Sequence, residues 1–82
     1  MIPRIKSILP LDNFTLLVEF DGGKKVVYDV KDDIRTLEDF RVLETEYGLF
    51  RNARLDSSRT CVYWTDRVDL PSDTILEYGQ PA

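Results

Sequence analysis

The chain has 82 residues, 43% of them apolar, with 15 acidic against 11 basic side chains, a net charge of −4 and no histidine. A domain of this size buries only about 60% of the surface its unfolded chain exposes, and the composition excludes disordered and fibrous classes. The acidic balance argues against phosphate-backbone binding as the main activity, and without histidine there is no Ser-His-Asp or Cys-His constellation and no imidazole metal site.

A single cysteine, Cys61, excludes an internal disulfide and a cysteine zinc cage. No apolar run approaches the roughly 20 residues needed to cross a bilayer. The opening MIPRIKSILP has no signal-peptide pattern. The expectation is one cytoplasmic domain over residues 1–82.

In chain order, Arg4 to Leu9 reads as a first strand ended by Pro10, with Leu11-Asp12-Asn13 turning into the next. Its alternation is imperfect. Ile5 and Leu9 share a face while Ile8 opposes them, so either a bulge intervenes or both faces are partly covered. The segment FTLLVEFDGGKKVVYDV, Phe14 to Val30, is the strongest local signal, two alternating apolar runs around Asp21-Gly22-Gly23. A two-residue loop would place Val18 opposite Val27 and mix apolar with polar rows. A three-residue loop with Gly23 left-handed pairs Val18 with Val26, Leu16 with Tyr28 and Phe14 with Val30, and gives one continuous apolar face.

Beyond the charged stretch Lys31 to Arg35, Thr36 is placed to cap a helix, with Asp39 as the acidic partner of a capping box. Leu37, Phe40, Leu43 and Tyr47 recur at helical spacing up to Gly48, giving a helix of about a dozen residues. Val42 and Leu49-Phe50 leave two short helices over 36–50 open. Ala53 to Asp56 and Thr60 to Trp64, around Ser57-Ser58-Arg59, read as a second hairpin. Asp69, Pro71 and Ser72 suit the start of a short last helix ending at Tyr78-Gly79. The order βββ-α-ββ-α predicts a two-layer α+β domain, a small antiparallel sheet packed against one or two helices.

Chemistry-bearing residues are sparse. Cys61, within a strand beside Val62, reads as a buried inert thiol. Asp66, Asp69 and Asp73 lack the interleaved spacing and central glycine of a calcium loop. Asp21-Gly22-Gly23-Lys24 lies between two strands, where a P-loop needs a strand and a helix. Trp64 reads as a core anchor rather than a base-stacking platform. Arg51, Arg54 and Arg59 fall close enough in sequence to form a basic spot, although a solvated face is the favoured account of them. No catalytic, cofactor-binding or metal-ligating residue is assigned.

Ile5 with Ile8, Asp21-Gly22-Gly23, Tyr28-Asp29-Val30, Leu49-Phe50, Leu55-Asp56, Val62-Tyr63-Trp64 and Val68-Asp69-Leu70-Pro71-Ser72-Asp73-Thr74-Ile75 together make nearly the whole chain, Ile2 to Tyr78, resemble a small prokaryotic family called domain of unknown function 2442. That family usually follows the tryptophan with Pro-Asn-Gly, where this chain has Thr65-Asp66-Arg67. The resemblance implies an α+β fold with a small antiparallel sheet and no established catalytic residues. It also implies relatives fused to helix-turn-helix domains or encoded beside toxin–antitoxin-type genes.

Three readings follow. The first is a non-enzymatic protein-binding or antitoxin-like regulatory module. A nucleic-acid-binding regulator resting on Arg51, Arg54 and Arg59 comes second, and an enzyme using only carboxylates or a metal comes third. On the first reading the surface facing away from the helix carries Leu17, Val27 and Asp29, and with Asp66 and Asp69 these are the expected partner-binding residues. The partner is a second copy of the chain or a small basic protein, since opposite charge speeds encounter with an acidic surface.

Overall fold

Residues 14–30 fold as their period of two dictates. In the computed structural model, which describes residues 2–82, strands β2 (Thr15–Phe20) and β3 (Lys25–Asp29) pair antiparallel. Val18 stands opposite Val26 and Leu16 opposite Tyr28, and the Val30 amide donates to the Phe14 carbonyl at 2.9 Å. This is the register expected from the apolar face. The loop closes through the Gly23 amide on the Phe20 carbonyl at 3.0 Å. Gly22 joins Gly23 at positive φ, 94° and 97°, so the turn has two left-handed residues where one was expected. Only glycine takes both without strain.

β1 (Ile5–Leu11) completes the expected meander against β2, with a bulge between Ile5 and Ser7. The extra residue brings Ile8 back to the side of Ile5, so both pack on the core. Pro10 lies inside the strand, opposite Leu16. An edge strand tolerates this because one side of its backbone needs no ladder partner. The four-stranded sheet has the order β1-β2-β3-β7, where β7 (Gln80–Pro81) is a two-residue strand that the sequence did not announce.

The helical segment between the hairpins is broken and begins early. Helix α1 spans Lys31–Thr36, Leu37 is extended (φ −112°, ψ 116°), a 3-10 turn follows at Glu38–Arg41, and α2 covers Val42–Thr45. Thr36 therefore ends a helix instead of capping one, and its hydroxyl donates to the Asp32 carbonyl at 2.8 Å. Ile34 and Phe40 must both reach the core, yet six residues of unbroken helix would point them about 120° away from one another. The break at Leu37 resets the phase. Leu37 and Tyr47, expected on the buried stripe, are 47% and 98% exposed, while Phe40 and Leu43 are buried.

A second antiparallel sheet holds β4 (Arg54–Leu55), β5 (Cys61–Thr65) and β6 (Val68–Pro71) in the order β4-β5-β6. Its first turn contains no glycine, so Arg59 takes the left-handed residue at φ 60°. Asp56 organises that turn. Its carboxylate accepts the Thr60 and Cys61 amides at 3.0 and 3.2 Å and the Ser58 hydroxyl at 2.8 Å. β6 takes residues expected at the start of the last helix. Asp69 is in the strand, and helix α3 (Ser72–Tyr78) starts after Pro71. Ser72 is buried without capping the helix, its hydroxyl donating to the Pro3 carbonyl at 2.6 Å.

One apolar cluster joins both sheets and the helices, including Ile5, Leu16, Val18, Val62, Leu70 and Ile75. Trp64 anchors it as expected. Its indole Nε1–H donates to the Phe50 carbonyl at 2.9 Å, and its ring stacks on Phe50 at 5.7 Å and meets Phe40 edge-on at 6.3 Å. The protein is thus an α+β fold whose strands divide between two small antiparallel sheets. No helix among the described residues is long and apolar enough to cross a membrane.

Candidate functional site

The face of the four-stranded sheet turned away from the core is built by the same alternation that builds the core. With Leu16, Val18, Val26 and Tyr28 directed inward, Leu17 and Val27 stand on the rear face directly opposite one another. The β1 bulge adds Leu9, which pairs with Leu17 and is 53% exposed. A row Leu9-Leu17-Val27 therefore crosses three adjacent strands, ending at Gln80 of β7. Sequence reasoning missed Leu9 by placing it with Ile5. The signal was the pair Lys6-Ser7, two polar residues that a bulge accommodates while keeping Ile5 and Ile8 inside.

Polar rows flank the apolar one. Ser7, Glu19 and Lys25 align on one side, and Leu11, Thr15 and Asp29 on the other. Lys6 lies 3.9 Å from Glu19. Burial pushes the Asp29 carboxyl up, but the Lys31 amide at 2.9 Å and its ammonium at 3.1 Å outweigh it and hold Asp29 below the usual carboxylate range. At that end the face opens into a groove of about 630 Å³ bordered by Asp32, Asp33, Thr74 and Tyr78. Asp33 accepts the Tyr28 hydroxyl at 2.6 Å. Burial, and then that carboxylate, push the Tyr28 phenol well above its ordinary value.

The structure brings Leu17, Val27 and Asp29 together but not the other two expected partner-binding residues. Asp66 is in the turn between β5 and β6, and Asp69 is exposed on β6 opposite Tyr63, both in the other sheet. The three arginines do not act as one basic spot either. Arg51 donates to Asp12 at 2.7 Å, and Arg59 grips Asp21 with two hydrogen bonds of 2.9 and 3.1 Å and also reaches the Ile5 carbonyl. Two of the three cations are thus paired within the chain, leaving Arg54 exposed on β4.

Two further features bear on chemistry. Cys61 is half-buried, and burial, with Asp69 and Asp56 nearby, raises its thiol and keeps it protonated, the opposite of what a nucleophile needs. Asn13 and Phe14 are consecutive left-handed residues, at φ 62° and 56°. Side-chain packing accounts for that strain, since the Phe14 ring meets Phe50 edge-on at 5.3 Å and the Lys31 ammonium donates to the Asn13 carbonyl at 2.9 Å.

Comparison with known proteins gives one result. Residues 5–81 match the model of a family described as a protein of unknown function, DUF2442. No curated protein and no solved structure matches the chain.

Proposed function

This chain belongs to the DUF2442 family, a family of unknown function, and for this member we propose a protein-binding regulatory module with no chemistry of its own. The observation that carries the reading is the row across the rear of the four-stranded sheet formed by exposed Leu9 and half-buried Leu17 and Val27. Apolar side chains aligned over three strands make a surface that gains from being covered, and polar rows on both sides supply the rim that gives a contact its register. An antitoxin-like action, by occupying a cognate protein, is one form of this role. Direct nucleic-acid binding is disfavoured because Arg51 and Arg59 spend their charge on Asp12 and Asp21.

The test compares proteins retained from the native cell by the wild type and by a Leu17→Lys, Val27→Lys double variant, each retained protein then being purified and titrated. The expected result is a partner whose affinity falls at least tenfold for the variant. Equal affinity for both forms would remove the rear face from the function.

A further inference from the structure

The rear face carries a symmetry that names its occupant. The apolar row runs across the strands, and the flanking rows lie two residues to either side of it. On β3 that places Lys25 and Asp29 equidistant from Val27, with all three side chains on the same face. On β2 the corresponding positions are Glu19 and Thr15 about Leu17, and on β1 they are Ser7 and Leu11 about Leu9.

Resting on the protein-binding reading, we propose that this face pairs with a second copy of the chain, through a two-fold axis lying along the Leu9-Leu17-Val27 row. Such an axis reverses strand direction between the copies. Each apolar residue then meets its own equivalent, and Lys25 of either copy comes over Asp29 of the other, twice per dimer. The other in-plane two-fold that keeps the strands of the two sheets aligned runs along the strands, between β2 and β3. It sets Glu19, already beside Lys6 and Lys25 in its own chain, over Lys25 of the other copy and leaves Asp29 over Thr15, so it brings no cation to Asp29. Face-to-face sheets pack about 10 Å apart with strand directions within about 30°, so aliphatic side chains of leucine and valine size fill the gap, and the lysine stem reaches across it.

Charge complementarity of the chain with itself favours a copy over a foreign partner at this face. Within one chain Lys31 already lies against Asp29 and Glu19 near Lys6, so a uniformly basic partner gains little at Asp29 and confronts Lys25, whereas a copy brings a carboxylate over Lys25 and a second cation to Asp29. The area sets the strength. Four strands by about five residues make a patch of roughly 14 by 17 Å, well short of the about 800 Å² per partner of a standard interface. The dimer is therefore a weak one that forms at high concentration.

The test is sedimentation equilibrium up to about 1 mM protein, the range in which complexes worth about 4 kcal/mol appear. Wild type should rise above its monomer mass of 9.5 kDa as concentration increases. Lys25→Glu and Asp29→Lys should each weaken association at least fivefold, because each sets like charges against one another twice. The variant carrying both exchanges should recover wild-type association, since the two charges have then traded places and opposite signs meet again across the axis. Lys25 and Asp29 are exposed, and circular dichroism of each variant checks that the fold is retained. A wild type that stays monomeric throughout, or association indifferent to the single exchanges, or a double exchange that fails to restore it, would overturn the proposal. The wider reading would survive any of these if a foreign partner still depended on Leu17 and Val27.

Discussion

Gly79 rests on the side chain of Val26 so closely that a methyl group at its Cα would overlap Val26 Cγ1. The same methyl would stand 2.6 Å from the Ile75 carbonyl oxygen and 3.3 Å from that of Val27. The φ of Gly79 is −76°, so it is close approach, and not backbone conformation, that requires glycine here.

Gly79→Ala should therefore destabilise the protein, although alanine is normally the easier residue to order. Two of the three obstacles are backbone atoms, which cannot rotate away. Overpacking of this kind costs about 1–3 kcal/mol, which lowers the melting temperature by about 4–8 °C per kcal/mol in a domain of this size. Calorimetry of the variant checks this, and an unchanged or raised melting temperature would mean that α3 shifts freely on β3.

Phe40 and Leu37 should separate cleanly in mutational cost despite adjacent places in the same apolar stretch. Phe40 is 5% exposed and meets the Trp64 ring edge-on, so Phe40→Ala should cost about 3–5 kcal/mol. Leu37 is half-exposed in the break between α1 and the following turn, and Leu37→Ala should cost less than about 1 kcal/mol. Urea unfolding of both variants measures the difference. Equal losses would show that the helical segment packs as one continuous stripe.

Asp56 should give the protein a specific weakness to acid. The Ser58 hydroxyl, followed by the Thr60, Cys61 and Arg59 amides, stabilises its charged form and lowers its carboxyl, outweighing the opposing effect of burial. A lowered folded value means that the stabilisation is complete above the unfolded value of about 3.9. It is lost as pH falls through the lower folded value. Unfolding free energy followed downward from about pH 5 should decline less steeply in Asp56→Asn than in wild type. Parallel curves would show that the turn does not depend on that charge.

Tyr28 should resist ionisation. Burial and the bond to Asp33 raise its phenol, so the neutral form belongs to the folded state and its stabilisation is present below the ordinary tyrosine value of about 10. It is lost as pH rises through the folded value. The tyrosinate absorbance of wild type minus that of Tyr28→Phe isolates this group. A difference spectrum appearing at the ordinary value would mean that the Tyr28–Asp33 bond is not maintained.

What was legible in the sequence was whatever had a strict short period. Phe14 to Val30 carried its register because only one loop length collects Leu16, Val18, Val26 and Tyr28 on one side, and the same parity placed Leu17 and Val27 on the other. The helical segment misled because Leu37, Phe40 and Leu43 are periodic among themselves, while Ile34, hidden among charged residues, competes for the same core. β6 was obscured by Pro71 and β7 by Pro81, since proline marks the end of a ladder more often than its interior. Leu9 depended on a bulge whose phase the sequence left open. Asp66 and Asp69 share the acidic character expected of a partner-binding surface, but charge carries no information about which sheet a residue joins.

The bond from Ser72 to Pro3 spans 69 residues, and the Ala82 amide returns to the Lys25 carbonyl at 3.1 Å. A ribosome makes Ser72 long after Pro3 and Ala82 long after Lys25. The first hairpin leaves the exit tunnel early, but Ile75, which helps close its core, and β7, which pairs with its second strand, follow roughly fifty residues behind, a delay of several seconds at about 5–20 residues per second. Throughout that interval Leu16, Val18 and Val26 lack part of their cover. The core of the first hairpin is therefore closed by elements made long after it, and its folding waits for Ile75 and β7.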